Sequence, residues 1–120
     1  MDLQVVRNLE QFFRLVNHWP VSLADRIECH WPPFGILLES IDDRLLMSSW
    51  LLESEVILLK PLLSRWHPEA FMGIPQRIFI VKNRLMISCQ CPSNSQAHDW
   101  YHLCKKQQKF LNQVTTGGQS

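Results

Sequence analysis

The spacing of apolar residues near the start of the chain predicts an amphipathic helix from about Asp2 to His18. The apolar positions recur at steps of three and four residues, which places them on one helical face. They are Leu3, Val5, Val6, Leu9, Phe12, Phe13 and Val16. Asp2 can cap the start of this helix, and Pro20 lies just beyond its end, so both boundaries are marked in the sequence.

The pattern then changes to that of three short strands, the first at residues 25–29. We expect Trp31-Pro32-Pro33-Phe34-Gly35 to break this strand, because the prolines remove two donors from the hydrogen-bond ladder. Further strands are predicted at 34–41 and 45–52. Asp42-Asp43 between them is a turn signal and too short for a parallel crossover, so these two strands should be antiparallel.

Helical spacing returns after Ser54, which can cap a second helix beginning at Glu55. Pro61 falls inside this run and should kink or restart the helix, since its ring clashes with the preceding turn. The apolar positions of this predicted helix are Val56, Ile57, Leu59, Leu62, Leu63 and Trp66.

The remaining elements complete an α+β fold. Strands at 77–81 and 85–91 flank Lys82-Asn83-Arg84, a loop typical of a β-hairpin, and Ser95 can cap a last helix to about Val114. The order α-β-β-β-α-β-β-α predicts an antiparallel sheet of about five strands with three helices. We expect one domain over residues 1–114 and a flexible tail at 115–120.

Composition and charge fit one compact domain and give no reason to expect binding to nucleic acid. The chain has 120 residues, 46% of them hydrophobic, which is enough for a single core. Its formal net charge of +1 gives no concentrated positive field for phosphates. No apolar run reaches the roughly 18–20 residues of a membrane span, and the first residues do not form a secretory signal. We therefore expect a cytoplasmic protein with reduced thiols and no membrane insertion.

The best candidate for a metal site combines thiols and imidazoles from the last predicted strand and the last helix: Cys89, Cys91, His98, His102 and Cys104. Thiolates with imidazoles suit zinc, and each close pair shares a face of its element. However, Cys-x-Cys is not the usual Cys-x-x-Cys knuckle, and the cysteines also fit apolar faces as buried thiols. We favour the buried thiols and expect no bound metal.

No pattern typical of catalysis is present in the sequence. It contains no Gly-x-Ser-x-Gly elbow, no glycine-rich phosphate loop and no His-Glu-x-x-His. Its four glycines leave little for a backbone cradle around phosphate. We expect neither enzymatic activity nor a cofactor.

The second and third predicted strands are apolar at nearly every position, from Phe34 to Leu38 and from Leu45 to Leu52. A strand that faces water on one side should alternate between apolar and polar residues. Another subunit or a bound peptide could cover the second face of these strands. The alternative is that all of these residues fit into the core of the monomer.

The element order, the size and the pattern of apolar residues over nearly the whole chain resemble those of the small dimeric chaperones of bacterial type III secretion systems. Three stretches carry the likeness: the amphipathic start at residues 3–13, the central segment Leu45-Leu46-Met47-Ser48-Ser49-Trp50-Leu51-Leu52, and the hairpin at 78–88. Within that family the chain is most similar to the short chaperones of the gatekeeper protein, which controls the order of secretion and whose chaperones can pair with a second, different chaperone.

The resemblance implies a dimer that holds a secreted client in extended form, without nucleotide or catalytic residues. The second helix would form the subunit contact, through Val56, Ile57, Leu59, Leu62, Leu63 and Trp66. The client-facing side chains would be Phe12, Phe13, Ile36, Leu38, Ile78 and Ile80. Two other interpretations stay open: a structural or regulatory component of a secretion assembly, and a small zinc-binding module.

The charge of the chain departs from that family, whose members are usually acidic, because its sequence pI is about 7.7. The difference argues against a plain acidic homodimer. It favours a heterodimer whose partner supplies the negative charge, or a different family altogether.

The subunit contact can be tested by placing a charge in the predicted second helix. We expect Leu62→Asp or Leu63→Asp to convert a dimer or heterodimer into monomer or aggregate, because a carboxylate would be buried in an apolar contact. Light scattering measures the mass, and an unchanged mass would contradict the assignment of this helix.

Overall fold

The computed structural model describes residues 3–42, 44–52, 71, 73–82 and 84–116, with side chains as far as 112. The elements are α1 (Leu3–Leu15), β1 (Arg26–Trp31), β2 (Phe34–Ile41), β3 (Arg44–Leu51), β4 (Gln76–Val81), β5 (Arg84–Cys91) and α2 (Ala97–Thr116). The predicted α+β fold with a five-stranded antiparallel sheet is confirmed. These residues hold two helices rather than the three expected, because the helix predicted from Glu55 lies outside them.

The five strands lie in the order β1-β2-β3-β5-β4, so β1 and β4 form the two edges. Residues Asp42 and Lys82 each have positive φ, 48° and 50°, as short turns between antiparallel strands require. The break expected at Trp31-Pro32-Pro33-Phe34 is instead a turn between β1 and β2, in which Trp31 pairs with Phe34. The prolines occupy turn positions, where no donor to the ladder is needed, and β1 therefore continues to Trp31.

Both helices pack on one face of the sheet, which we call the inner face. The core there joins Phe12 and Phe13 of α1 to Leu38 of β2, Met47 of β3 and Leu103 of α2, all of them at most 1% exposed. These residues recur at helical spacing in α1 and at every second position in the strands, so each element turns its apolar side to the same core. Neither helix of this part of the chain is long and apolar enough to cross a membrane.

A buried polar side chain, Gln107 of α2, ties this helix to two strands. Its Nε2 donates to Oε1 of Gln76 at 2.9 Å, and its Oε1 accepts a hydrogen bond from Oγ of Ser49 at 2.6 Å. Gln107 is fully buried, so these bonds replace those that water would make. Because the partners lie at single positions on β3 and β4, they set the register of α2 against the sheet.

The other face of the sheet, the outer face, contains a close contact between a tryptophan and a backbone. Trp50 of β3 lies over Gly35 of β2, its register partner, and an ideal Cβ on Gly35 would stand 2.2 Å from Cε2 of the indole. Glycine is needed here because any side chain would occupy the space of the ring. The contact leaves Trp50 only 5% exposed although it does not face the helices.

The Gly35–Trp50 contact predicts a marked loss of stability in Gly35→Ala. The added methyl group must displace the indole, and overpacking of this kind typically costs about 1–3 kcal/mol of unfolding free energy. Urea denaturation measures this loss. In a Trp50→Leu background, where the ring is absent, the same substitution should cost at least about 1 kcal/mol less. Equal losses in the two backgrounds would show that the indole is not the cause.

Candidate protein-binding surface

The outer face of the sheet carries a group of apolar side chains, the apolar patch, formed by Leu37, Leu46, Phe79 and Met86. They belong to four neighbouring strands and line a concavity of about 570 Å³. Leu37, Leu46 and Met86 are half-buried, while Phe79 is 40% exposed. A contiguous apolar surface of this kind is typical of a site that binds another protein.

Small side chains form the floor of this concavity. Ser48 of β3 and Ser88 of β5 are register partners, both are buried, and Oγ of Ser48 donates to Oγ of Ser88 at 2.9 Å. The mutual hydrogen bond satisfies two hydroxyl groups without water. Because serines separate the larger apolar side chains, the surface is recessed at its centre and can receive side chains from a partner.

A second concavity, of about 380 Å³, adjoins the first and includes Leu37, Trp50 and Met86. Cations predominate along the two concavities: their lining contains four cations and two carboxylates. The cations are Arg26, Arg77, Lys82 and Arg84, and the carboxylates are Glu28 and Glu39. The apolar floor therefore has a mainly basic rim.

The edge strand β4 exposes three consecutive apolar residues. Phe79, Ile80 and Val81 are 40%, 44% and 43% exposed, so apolar side chains protrude on both faces of this strand. An edge strand also presents backbone N–H and C=O groups that a further strand can pair with. The patch and the edge are continuous, because Phe79 belongs to both.

The client-facing residues expected from the resemblance are divided by the fold. Four of them, Phe12, Phe13, Ile36 and Leu38, are at most 1% exposed in the inner core. They therefore do not lie on the surface, where client contact would require them. Their apolar character reflects the packing of α1 against the sheet. Ile78 is half-buried, Ile80 is exposed, and client contact at these two stays a prediction.

The expected subunit contact, Val56, Ile57, Leu59, Leu62, Leu63 and Trp66, lies outside the described residues. The residues of the apolar patch were not singled out from the sequence. The available signal was the missing alternation in β2 and β3, which indicated that their second face is apolar as well.

The five candidate metal ligands are not brought together. Cys89, Cys91 and Cys104 are buried in the inner core, whereas His98 and His102 are exposed on α2. Across the described residues there is no group of three or more side chains placed to hold a metal ion. The three thiols thus occupy positions in the apolar core, as buried apolar side chains do.

The environment favours the neutral form of two of these thiols, Cys91 and Cys104, whereas the hydrogen bond with Cys91 lowers the pKa of Cys89. The same hydrogen bond, together with burial, raises the pKa of the Cys91 thiol. Burial likewise raises the pKa of Cys104, to about 12. Because the thiolate is the form that binds metal or attacks an electrophile, Cys91 and Cys104 are poorly suited to either chemistry.

The chain is similar over nearly its full length to proteins of bacterial secretion. The sequence model of the SsaM family matches residues 2–114. The secretion system apparatus protein SsaM of Salmonella typhimurium (strain LT2) is 32% identical over 120 residues, which cover 98% of each chain. A chain in the solved structure of the HopA1-SchA chaperone-effector complex shares the fold, with a TM-score of 0.70, 12% sequence identity and 94% of each chain covered.

The raised pKa of Cys104 predicts a loss of stability at alkaline pH. The unfolded thiol ionises around its ordinary pKa of 9.0, whereas the folded thiol keeps its proton up to about 12. The unfolding free energy should therefore fall as the pH rises from 9 towards 12, by at most about 1.4 kcal/mol per pH unit for this group. Urea denaturation between pH 8 and pH 11 measures the slope.

Cys104→Ala removes this titration, so its stability should fall less steeply than that of the unmodified protein over the same range. The comparison concerns slopes, since the smaller side chain also leaves a cavity at every pH. Leu103→Ala is the matched control, because Leu103 is also fully buried on α2 and its truncation leaves a cavity but removes no titrating group. Parallel pH profiles for the unmodified protein and Cys104→Ala would contradict the assigned environment.

Proposed function

The chain belongs to the SsaM family, and from that premise we propose that it is a cytoplasmic chaperone of a bacterial type III secretion system. Its client is a secreted protein or the gatekeeper protein, which it binds in extended form and keeps ready for export. One observation above all supports this proposal: the sheet carries an apolar concavity that continues into an exposed edge strand. The fold shared with a chain of a chaperone-effector complex agrees with it.

The geometry suits an extended client because an extended chain has two requirements. Its backbone needs hydrogen-bond partners, which the free edge of β4 offers. Its alternate side chains need apolar sites, which Phe79 and the adjoining concavity offer. Binding of this kind shields an apolar segment from aggregation and uses no nucleotide or covalent chemistry.

We propose that the working form is a homodimer or a heterodimer with a second small chaperone. The resemblance to secretion chaperones assigns the subunit contact to the predicted second helix, and thus to its apolar residues Val56, Ile57, Leu59, Leu62, Leu63 and Trp66. A net charge of +1 favours an acidic partner over a second basic copy.

A permanent component of the secretion apparatus is the second candidate function. The relative that is 32% identical is described as an apparatus protein, which favours this reading. The two functions differ in the fate of the bound protein. A chaperone releases its client when export begins, whereas an apparatus component stays with its complex.

We expect deletion of the gene from its native bacterium to abolish secretion of the client, and the unmodified gene to restore it. The partner should co-purify before secretion is induced and be lost afterwards, as immunoblots of the purified complex would measure. Retention of the same partner throughout active secretion would favour the apparatus component. Normal secretion in the deletion strain would contradict both functions.

The same co-purification assay, with a variant gene in the deletion strain, tests the role of the outer face. Phe79→Ser should reduce the co-purified partner about tenfold or more, since burial of such a side chain contributes roughly 1.5–3 kcal/mol. Lys109→Ser is the matched control, because Lys109 is exposed on α2, away from the outer face. An equal effect of the two substitutions would remove the outer face from the proposal, provided that both variants unfold at the same urea concentration.

A further inference from the structure

The two edges of the sheet differ in how they resist pairing with another strand. On β1 the outer face carries Arg26, Glu28 and His30, and Nε2 of His30 lies 3.0 Å from Oε2 of Glu28. Charged side chains of this kind protect an edge strand. On β4, by contrast, Phe79, Ile80 and Val81 are exposed and apolar. Within the part of the chain that the structure describes, the edge at β4 is therefore the one better suited to strand addition.

The register of the last hairpin identifies the backbone groups that are free at this edge. Val81 pairs with Arg84 across the turn. In a hairpin closed by a two-residue turn, the pair beside the turn exchanges both hydrogen bonds, and every second pair along the strands does the same. Val81 and Phe79 thus direct their backbone groups towards β5, while Ile78 and Ile80 direct theirs towards the free edge.

Three cations stand beside this edge: Arg77, Lys82 and Arg84. All three are exposed, and none has an ion-pair partner among the residues that the structure describes. Of the two carboxylates that line the same concavities, Glu28 already pairs with His30. Glu39 lies on β2, separated from β4 by two strands and so by roughly 14 Å between strand axes. Among the described residues, the charge beside β4 is therefore positive and largely uncompensated.

We propose that the β4 edge binds an extended segment of a partner protein whose alternating apolar residues are flanked by carboxylates. The apolar residues would contact Phe79 and the concavity beside it, the backbone would pair with Ile78 and Ile80, and the carboxylates would meet Arg77, Lys82 and Arg84. This inference deepens the proposed function by naming the chemistry of its partner.

A second copy of this chain is a poorer occupant of the edge. Pairing β4 with its own copy would place Arg77, Lys82 and Arg84 of both subunits on one surface. Like charges across a strand pair are destabilising, whereas carboxylates in the same positions would be attracted. The charge pattern thus selects an acidic partner strand.

Three synthetic peptides test the chemistry directly. They share a core of alternating Val and Thr and carry Glu, Gln or Lys residues at both ends. Isothermal titration calorimetry with the full-length protein should give a dissociation constant for the Glu-flanked peptide at least about tenfold lower than for the Lys-flanked one, with the Gln-flanked peptide between them. Raising the salt concentration should narrow this difference.

Two kinds of variant locate the binding site. The double variant Arg77→Glu, Arg84→Glu should reverse the preference, so that the Lys-flanked peptide binds more tightly, while Lys109→Glu should leave the preference unchanged. Ile80→Pro removes one outward N–H but no hydrogen bond to β5, and it should weaken all three peptides about tenfold. Ile80→Ala retains the N–H and should weaken them less.

Amide hydrogen exchange provides a readout that a structural defect would not mimic. On binding of the Glu-flanked peptide, the amides of Ile78 and Ile80 should exchange more slowly, while those of Arg26 and Glu28 on β1 should not change. Circular dichroism checks that each variant keeps the fold.

Three results would overturn the inference: equal affinity for the Glu- and Lys-flanked peptides, no binding of any of them, or protection confined to β1. A dimer of this chain that Ile80→Pro converts to monomer, as seen by light scattering, would make a second copy the occupant. None of these results would alter the secretion defect of the deletion strain, so failure of this inference is distinguishable from failure of the proposed function.

Discussion

The structure depends on one geometric constraint, which is that a sheet has two faces and a helix packed on the sheet can cover only one of them. The two described helices pack on the same face, where Phe12, Phe13 and Leu103 are fully buried. Burial of apolar surface at about 25 cal/mol per Å² drives that packing. The same strands carry apolar residues on their second face, so the inner core accounts for only part of their apolar character.

Two groups of small or polar residues control the shape of the two faces. On the inner face, Gln107 and its hydrogen bonds with Ser49 and Gln76 hold α2 in one register. On the outer face, Gly35 admits the ring of Trp50, and the serines of β3 and β5 form the floor of the concavity. Larger residues at Ser48 and Ser88 would fill the concavity, so these two serines keep it open.

The comparisons and the structure provide different kinds of information about this protein. The family match and the 32% identical relative connect the chain with bacterial secretion. The shared fold with a chain of a chaperone-effector complex rests on backbone geometry alone, at 12% identity. The outer face adds what neither comparison specifies, namely an apolar surface with a basic rim beside an open edge strand. The hydrogen bond with Cys89 and burial raise the pKa of Cys91, and burial raises the pKa of Cys104, so these two thiols keep their protons.

The sequence by itself determined the type and order of the elements that the structure describes. The period of α1 and the positions of β2 and β5 follow from local residue patterns, and the boundaries differ from expectation by a few residues at most. The resemblance to secretion proteins was likewise confirmed by the family match. These features could be read locally because helical and strand periodicities, turns and caps depend on neighbours in the chain.

Only the tertiary structure decided which apolar residues are core and which are surface. Phe12 and Ile36 are as apolar as Leu37 and Phe79, yet the first two are buried in the core and the last two line the outer face. The role of Pro32-Pro33 as a turn and the separation of His98 from Cys91 also required the fold. The physical reason is that burial depends on which elements stack against which face of the sheet, and a linear pattern does not contain that long-range information.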